Sequence, residues 1–374
     1  MAALRHAYTA RLDLVRAPRR TGPGLIGVVD NTIPVELILA CGRVPILIAA
    51  DAGRPTPNAD RYMEEVISPE TKSLFEHACL GDYEFLDLLI VSRAHAHLYY
   101  YLKEVYRLGR GPRFPALHMY DLMQSQREAV RAYNWGRTEA LIDRLERLSA
   151  EEITEGRLRW AIARTNQQRA VQRRLLDLRW AGHLSGVNAL QAIGAAYFMS
   201  PDAYIPALET YLAEMRPDEA LRDRPRLLVV TSVPLGGTHV HAALEAAGAL
   251  VVAEDDWWGS RAPGADVPLA ESPKEAILRK YWLDTASAGV YPAEAREAWL
   301  RQHALRPDVD GVVFYVPPSD RQLGWDYPRL KKWLDDSEKP SLLVREDATD
   351  PAGESAIRGA TERFIATLPR RNSR

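Results

Sequence analysis

The chain has 374 residues, a formal net charge of −2, 47% hydrophobic and 26% charged residues, and only two cysteines. This length and composition fit two or three domains with proper cores, and the near-neutral balance gives no general electrostatic case for nucleic acid or an anionic membrane as partner. Cys41 and Cys79 cannot build a disulfide framework or a CxxC-type metal or redox site, and no apolar run approaches a membrane span or an export signal, so a reducing cytoplasm is the expected address.

Residues 1–24 are basic and read as a short helix followed by a flexible entry. The first strong unit runs from an apolar stretch, Leu25 to Val29, through the polar Asp30-Asn31-Thr32, to a helix opened by Pro34 and closed by Gly42. Proline suits the first helical turn because its missing N–H has no partner there, and glycine just past the end suits a left-handed cap. Asp30, Asn31 and Thr32 thus stand where a parallel strand hands over to a helix, the usual place for a ligand in an open α/β sheet. Thr32 reads equally well as a plain helix cap.

Pro45 to Ala50 is a second strand, Asp51 to Asp60 a loop, Pro69 to Cys79 a helix and Leu86 to Val91 a third strand, followed by Ser92, Arg93, His95, His97 and an aromatic helix at Tyr99 to Leu102. Residues 121–180 read as a helical insert with apolar positions at Leu141, Leu145, Leu148, Leu158, Ala161 and Ile162, and its charge runs read as solvated faces. Helices at His183 to Ala196 and Pro201 to Met215 complete it. A second α/β unit opens with the strand Leu227 to Ser232, a loop at Val233 to Gly237 and a helix closed by Gly248. Strand Leu250 to Ala253 then runs into Glu254-Asp255-Asp256-Trp257-Trp258-Gly259-Ser260-Arg261. After two helical segments come strand Gly311 to Val316, Pro317-Pro318-Ser319-Asp320, a helix at Tyr327 to Asp335, strand Ser341 to Val344 and a last helix, Ala352 to Leu368. Strands alternating with helices predict an α/β protein with two Rossmann-like, flavodoxin-like parallel-sheet domains. The expected divisions are 1–120, a helical insert at 121–224, and 225–374, with polar residues gathered after the C-terminal ends of strands in both sheets.

No single motif carries a strong catalytic signature. The loop Val233 to Thr238 lacks the P-loop lysine and the GxGxxG spacing, and suits a helix-start anion site better than a nucleotide site. His95 with His97, and His239 with His241, lack a local third metal ligand. Asp255, Asp256 and Arg261 can serve as acid, base or anion clamp. Trp257 and Trp258 read either as a substrate wall or as interface packing.

The order of these pieces resembles the 2-hydroxyacyl-CoA dehydratase and benzoyl-CoA reductase subunit family, of the D-component type. The resemblance rests on Gly27 with Pro34-Val35-Glu36-Leu37 and Ala40-Cys41-Gly42, on Gly81 to Asp87, and on Thr231-Ser232-Val233-Pro234. It continues through Gly248 to Val252 with Asp255-Asp256 and Gly259-Ser260-Arg261, then Asp310 to Val313, Pro328 to Lys331 and Glu346-Asp347. It covers roughly residues 25–368 and implies two Rossmann-like domains with a helical insert, paired as a heterodimer. It also implies a cysteine-held 4Fe–4S cluster beside a CoA thioester, with an ATP-driven activator supplying a low-potential electron. The chain departs from that pattern where the cluster cysteines fall, carrying Ser68-Pro69, Ala94-His95 and Pro318-Ser319 instead. Two cysteines cannot supply the four thiolates that such a cluster takes.

The expectation is therefore a CoA-thioester-binding subunit that holds no cofactor and no metal, any 4Fe–4S cluster lying in a homologous cysteine-bearing partner. His95 and Asp255 are the candidate catalytic residues. Asp30, Asn31, Thr32, Ser68, Ser232, His239, Asp256, Trp257, Arg261 and Ser319 are the candidate substrate contacts. Two other readings of the same residues are a non-catalytic regulatory or assembly homologue, and an independent acid–base enzyme acting on an acyl-CoA or similar anion.

Overall fold

The computed structural model describes residues 1–11, 23–48, 50–51, 54–109, 114–232, 237–285, 293–318 and 320–369. Helix α1 (Ala2–Thr9) is followed by β1 (Leu25–Val28), α2 (Val35–Ala40) and β2 (Val44–Leu47). The stop of α2 is the one its sequence announces: Gly42 takes φ +75° and the Arg43 N–H donates to the Ile38 carbonyl at 3.2 Å, closing a left-handed C-terminal turn. Its start differs from the cap reading of Thr32, because Pro34 occupies the cap position with no side-chain cap bond and the Thr32 hydroxyl turns back to Asp30.

Next come α3 (Pro57–Tyr62), α4 (Pro69–Cys79), β3 (Leu88–Ser92), α5 (Ala96–Arg107) and β4 (Ala116–Tyr120). Helix α3 lies where a loop was expected. Its N-terminus is held by a carboxylate from another helix, Glu76, which accepts from the Asn58 and Ala59 N–H groups at 2.8 and 3.1 Å. Strand β4 carries no β-branched run; only its last residue, Tyr120, is fully buried. The four strands form one parallel sheet in the order β2-β1-β3-β4. Gly27 sits at its centre because a Cβ there would come within 2.6 Å of the Leu86 side chain.

Helices α6 (Glu128–Ser149), α7 (Glu155–Trp180), α8 (Gly186–Gly194) and α9 (Pro201–Glu214) follow. The second sheet is built from β5 (Arg226–Val230), α10 (His239–Ala246), β6 (Leu250–Asp255), α11 (Pro273–Arg279), α12 (Ala293–Ala304), β7 (Gly311–Tyr315), α13 (Arg321–Asp336), β8 (Ser341–Val344) and α14 (Pro351–Thr367). Its order, β6-β5-β7-β8, repeats the first, again all parallel. The fold is thus α/β, with two four-stranded parallel sheets of the same winding. Helix α13 starts six residues before the expected Tyr327, because Asp320 caps it through the Leu323 N–H at 3.0 Å and the helix absorbs Pro328.

Helix α7 ties the layers together. The stripe that begins at Leu158 and Ile162 continues at alternating steps of three and four through Thr165, Arg169, Gln172, Leu176 and Arg179, all buried. Two of the residues read as part of solvated faces are therefore interior cations, while Arg159 does make the anticipated surface pair with Glu155, at 2.6 Å. Arg169 meets Glu36 of α2 at 2.5 Å. Arg179, fully buried, holds Glu254 of β6 through contacts of 2.5 and 3.0 Å, and its Nε donates to the Val251 carbonyl at 2.9 Å. Glu254 also accepts from the Ser260 N–H at 2.5 Å and lies 2.8 Å from His241 Nε2. Arg179 and the other donors outweigh the burial that opposes its charge, holding the carboxyl far below the usual range.

Removing one partner of a buried pair strands a charge. Arg179→Met is expected to lower unfolding free energy by about 3–5 kcal/mol in urea titrations. Adding Glu254→Gln should recover part of that loss; a loss below about 1 kcal/mol for the single variant would contradict the assignment.

Candidate functional site

The crevice of a parallel sheet opens where neighbouring connections leave toward opposite faces; here that point lies between the C-terminal ends of β1 and β3. Asp30 follows β1 and is buried. Ser92, the last residue of β3, donates to its Oδ2 at 2.5 Å, and His95 Nδ1 lies 3.3 Å from the same oxygen. The Thr32 N–H and hydroxyl donate to Oδ1 at 2.9 and 2.6 Å. Burial alone would raise the Asp30 carboxyl, but the bond and charge of His95 and the two hydroxyls outweigh it and hold it below the ordinary carboxylate value. Burial alone would lower His95; Asp30, with Glu70 nearby, raises it. Burial pushes Glu70 up. An Asp–His pair of this kind orients the ring by Nδ1 and leaves Nε2 for acid–base work. Ser92 is not set as a nucleophile, since its hydroxyl is committed to the carboxylate.

Asp30 also lines a cavity of about 960 Å³, mouth included. Its apolar wall comes from Val28, Ile33, Val35, Leu39 and Leu47. Its polar groups are Asp30, Asn31, Thr165, Gln168, Arg169, Gln172, Tyr197, Arg261, Lys280, Tyr281, Asp284 and Thr285. Beside it Glu36 accepts from Arg169, from the Tyr281 hydroxyl at 2.7 Å and from Thr165 at 3.0 Å. Burial would raise Glu36, but Arg169 dominates and holds it ionised. Burial, then Arg169, bring the Lys280 ammonium down to about 8.

The second sheet presents the same position with the partners exchanged. Ser232 follows β5, and its hydroxyl donates to Asp320 after β7 at 2.5 Å. A smaller cavity, about 620 Å³ with its mouth, is lined there by Thr231, Ser232, Asp255, Asp256, Trp257 and Arg261 among others. Arg261 borders both cavities and pairs with Asp255 at 2.7 Å. Trp258 is packed with Tyr197 at a ring distance of 4.9 Å and with Trp257 at 5.7 Å, so one indole of the pair is core and the other borders a cavity.

The structure therefore gathers Asp30, Asn31 and Arg261 on the larger cavity and Ser232, Asp255, Asp256, Trp257 and Arg261 on the smaller. His95 and Thr32 contact Asp30 from behind the wall. Ser68 caps α4 through the Thr71 N–H at 3.2 Å, and His239 is exposed at the start of α10. Ser319 and most of the Val233 to Gly237 loop lie outside the described residues. Arg169, Lys280 and Tyr281 were not singled out as cavity residues from sequence, nor was Glu36 as the carboxylate beside them. The phase of the α7 stripe points to Arg169, and Glu36 stands inside a family motif; nothing local marks Lys280.

The thiols do not fit a 4Fe–4S cluster. Cys41 is buried at the end of α2 with its Sγ 3.1 Å from the Ile38 carbonyl, and Cys79 closes α4. Burial raises both to about 11, against the thiolate a cluster needs. Among the described residues no three His, Cys, Asp or Glu side chains converge as metal ligands, and no helix is long and apolar enough to cross a membrane.

Residues 31–368 match the family model of the 2-hydroxyglutaryl-CoA dehydratase D-component. Among curated proteins, the (R)-phenyllactyl-CoA dehydratase beta subunit of Clostridium sporogenes is 20% identical over 371 residues, covering 95% of this chain and 97% of its own. The lactoyl-CoA dehydratase subunit beta of Anaerotignum propionicum is 21% identical over 352 residues, covering 93% and 92%. With nearly its whole length matched and two parallel sheets in place, the chain belongs to the 2-hydroxyglutaryl-CoA dehydratase D-component family.

Proposed function

We propose that this chain is a cytoplasmic subunit of a 2-hydroxyacyl-CoA dehydratase or benzoyl-CoA reductase-like system. In this reading it binds a CoA thioester in the cavity at the end of β1 and carries no 4Fe–4S cluster, which resides in a homologous cysteine-bearing partner. The observation that carries this reading is the cavity itself: it lies at the switch point of the first sheet, apolar on one side and cationic at Arg261 and Arg169 on the other, with no cysteine among the described lining residues. An acyl group suits the apolar wall and an anionic carrier suits the cations. The chain's own residues then bind and orient: Asn31 and Arg261 contact the ligand, and Asp30, held by Ser92, Thr32 and the His95 ring, borders it. The names of the curated relatives, both beta subunits, support a partner.

A second reading, an independent acid–base enzyme, draws on the Asp30–His95 pair. The two separate on purification: the first expects a cysteine-bearing homologue to co-purify, the second expects thermal stabilisation by acyl-CoA and turnover without one. Stability indifferent to every CoA ester would favour an assembly role.

Iron and acid-labile sulfide assayed after anaerobic purification of the chain alone should be far below stoichiometric; one cluster's worth of retained iron would overturn the cluster-free reading. The Asp30–His95 pair also sets a pH dependence. His95, raised above its ordinary 6.5, contributes stability that is complete below 6.5 and lost as pH climbs through its raised value. Asp30, lowered below 3.8, contributes above 3.8 and loses its contribution as pH falls through its lowered value. The melting temperature gap between the wild type and His95→Gln should accordingly be widest between those limits and shrink on the alkaline side. A gap constant with pH would refute the charged pair.

A further inference from the structure

Lys280 lies on the wall of the larger cavity. It is 6% exposed, and its Nζ donates to the Ala265 carbonyl at 2.7 Å. Gly264 makes room for it: a Cβ there would stand 3.2 Å from Nζ. The backbone around it departs from α-helix, since α11 passes at Lys280 into a π-helical turn, Lys280–Asp284, with the Thr285 hydroxyl donating to the Lys280 carbonyl at 3.0 Å. Such turns cluster at functional positions because they re-aim a side chain out of the helical stagger. Lys280 is the one lysine among the described residues lining the cavity.

We propose that Lys280 is an acyl-acceptor site: a buried amine that takes the acyl group from a thioester held in this cavity, forming an amide. The inference rests on the thioester-binding reading of the cavity. In the step the neutral amine attacks the thioester carbonyl, a C–N bond forms and the C–S bond breaks. CoA leaves as the thiolate, which takes up the proton released from nitrogen, and no electron is exchanged. A lysine becomes a nucleophile when desolvation and a neighbouring cation favour its neutral form. Burial and Arg169 act in that direction here and bring the amine to about 8, while Glu36, Asp284 and Asp266 oppose them. The Tyr281 ring, with its centroid 6.0 Å from Nζ, completes the surroundings.

The test uses the full chain incubated with butyryl-CoA, read by intact mass and peptide mapping, beside calorimetry with the unreactive thioether S-butyl-CoA. The expected result is a mass gain of one butyryl group mapped to Lys280, formed faster as pH rises through about 8. It should be lost in Lys280→Arg and Lys280→Met, of which at least the arginine variant still binds the thioether. Binding of the thioether without an adduct, or adducts spread over surface lysines and unchanged in the variants, would overturn the inference while leaving the ligand reading standing. Absence of both binding and adduct would remove both.

Discussion

Two arginines on one helix fix the geometry of this molecule. Helix α7 is about 39 Å long, and Arg169 and Arg179 are ten residues apart on its buried stripe. Arg169 reaches Glu36 just beyond the first sheet's leading strand, and Arg179 reaches Glu254 on the second sheet's β6. Each carboxylate is buried where a lone charge is expensive, so each demands its guanidinium. Such pairs add little net stability over apolar packing; their consequence here is positional. The planar fork of arginine holds a carboxylate by two donors in one orientation, as at Glu254, and the helix between the two arginines sets the spacing of the two carboxylates.

The sheets repeat one another in order, yet their switch points differ. Asp30 and Ser92 occupy the two central strand ends of the first sheet; in the second the serine and aspartate have changed places, as Ser232 and Asp320. Among the described residues, only the first pair has a histidine against it. The Asp320 carboxylate is consumed in capping α13, whereas Asp30 caps nothing and borders the cavity. A repeated scaffold thus carries one polarised end and one structural end, and the functional reading rests on the former.

Much of this was legible in sequence. Pro34 and Gly42 bracket α2 by local stereochemistry, and buried parallel strands such as Leu88 to Val91 announce themselves as continuous apolar runs. Of the polar residues after the strands, Asp30 and Asn31 beyond β1 and Ser232 beyond β5 border cavities, whereas Ser92 and His95 beyond β3 do not. What escaped was non-local. Helix α3 owes its start to Glu76, and β4 pairs along its length although its residues lack strand character. Arg169 and Arg179 look like members of a charged surface helix until the stripe from Leu158 is extended in phase. Lys280 enters through a π-helical turn that no periodicity signals. Thr32, a reasonable cap by type, is claimed instead by Asp30, the stronger acceptor two residues away.

The departures from the family's cysteine pattern acquire a physical meaning in this frame. Ser68 is occupied as a helix cap and His95 is drawn onto Asp30, so two of the three stretches where the resemblance expects cluster cysteines serve hydrogen bonding and charge, while Ser319 lies outside the described residues. The surface left for a ligand is the cavity wall, and the account stands or falls on whether a CoA thioester lies there. Amide hydrogen exchange of the purified chain, with and without saturating butyryl-CoA, addresses this most directly. The account predicts protection in the segments spanning residues 28–39 and 261–285, with α14 unchanged; protection confined to other surfaces, or none despite measured binding, would contradict it.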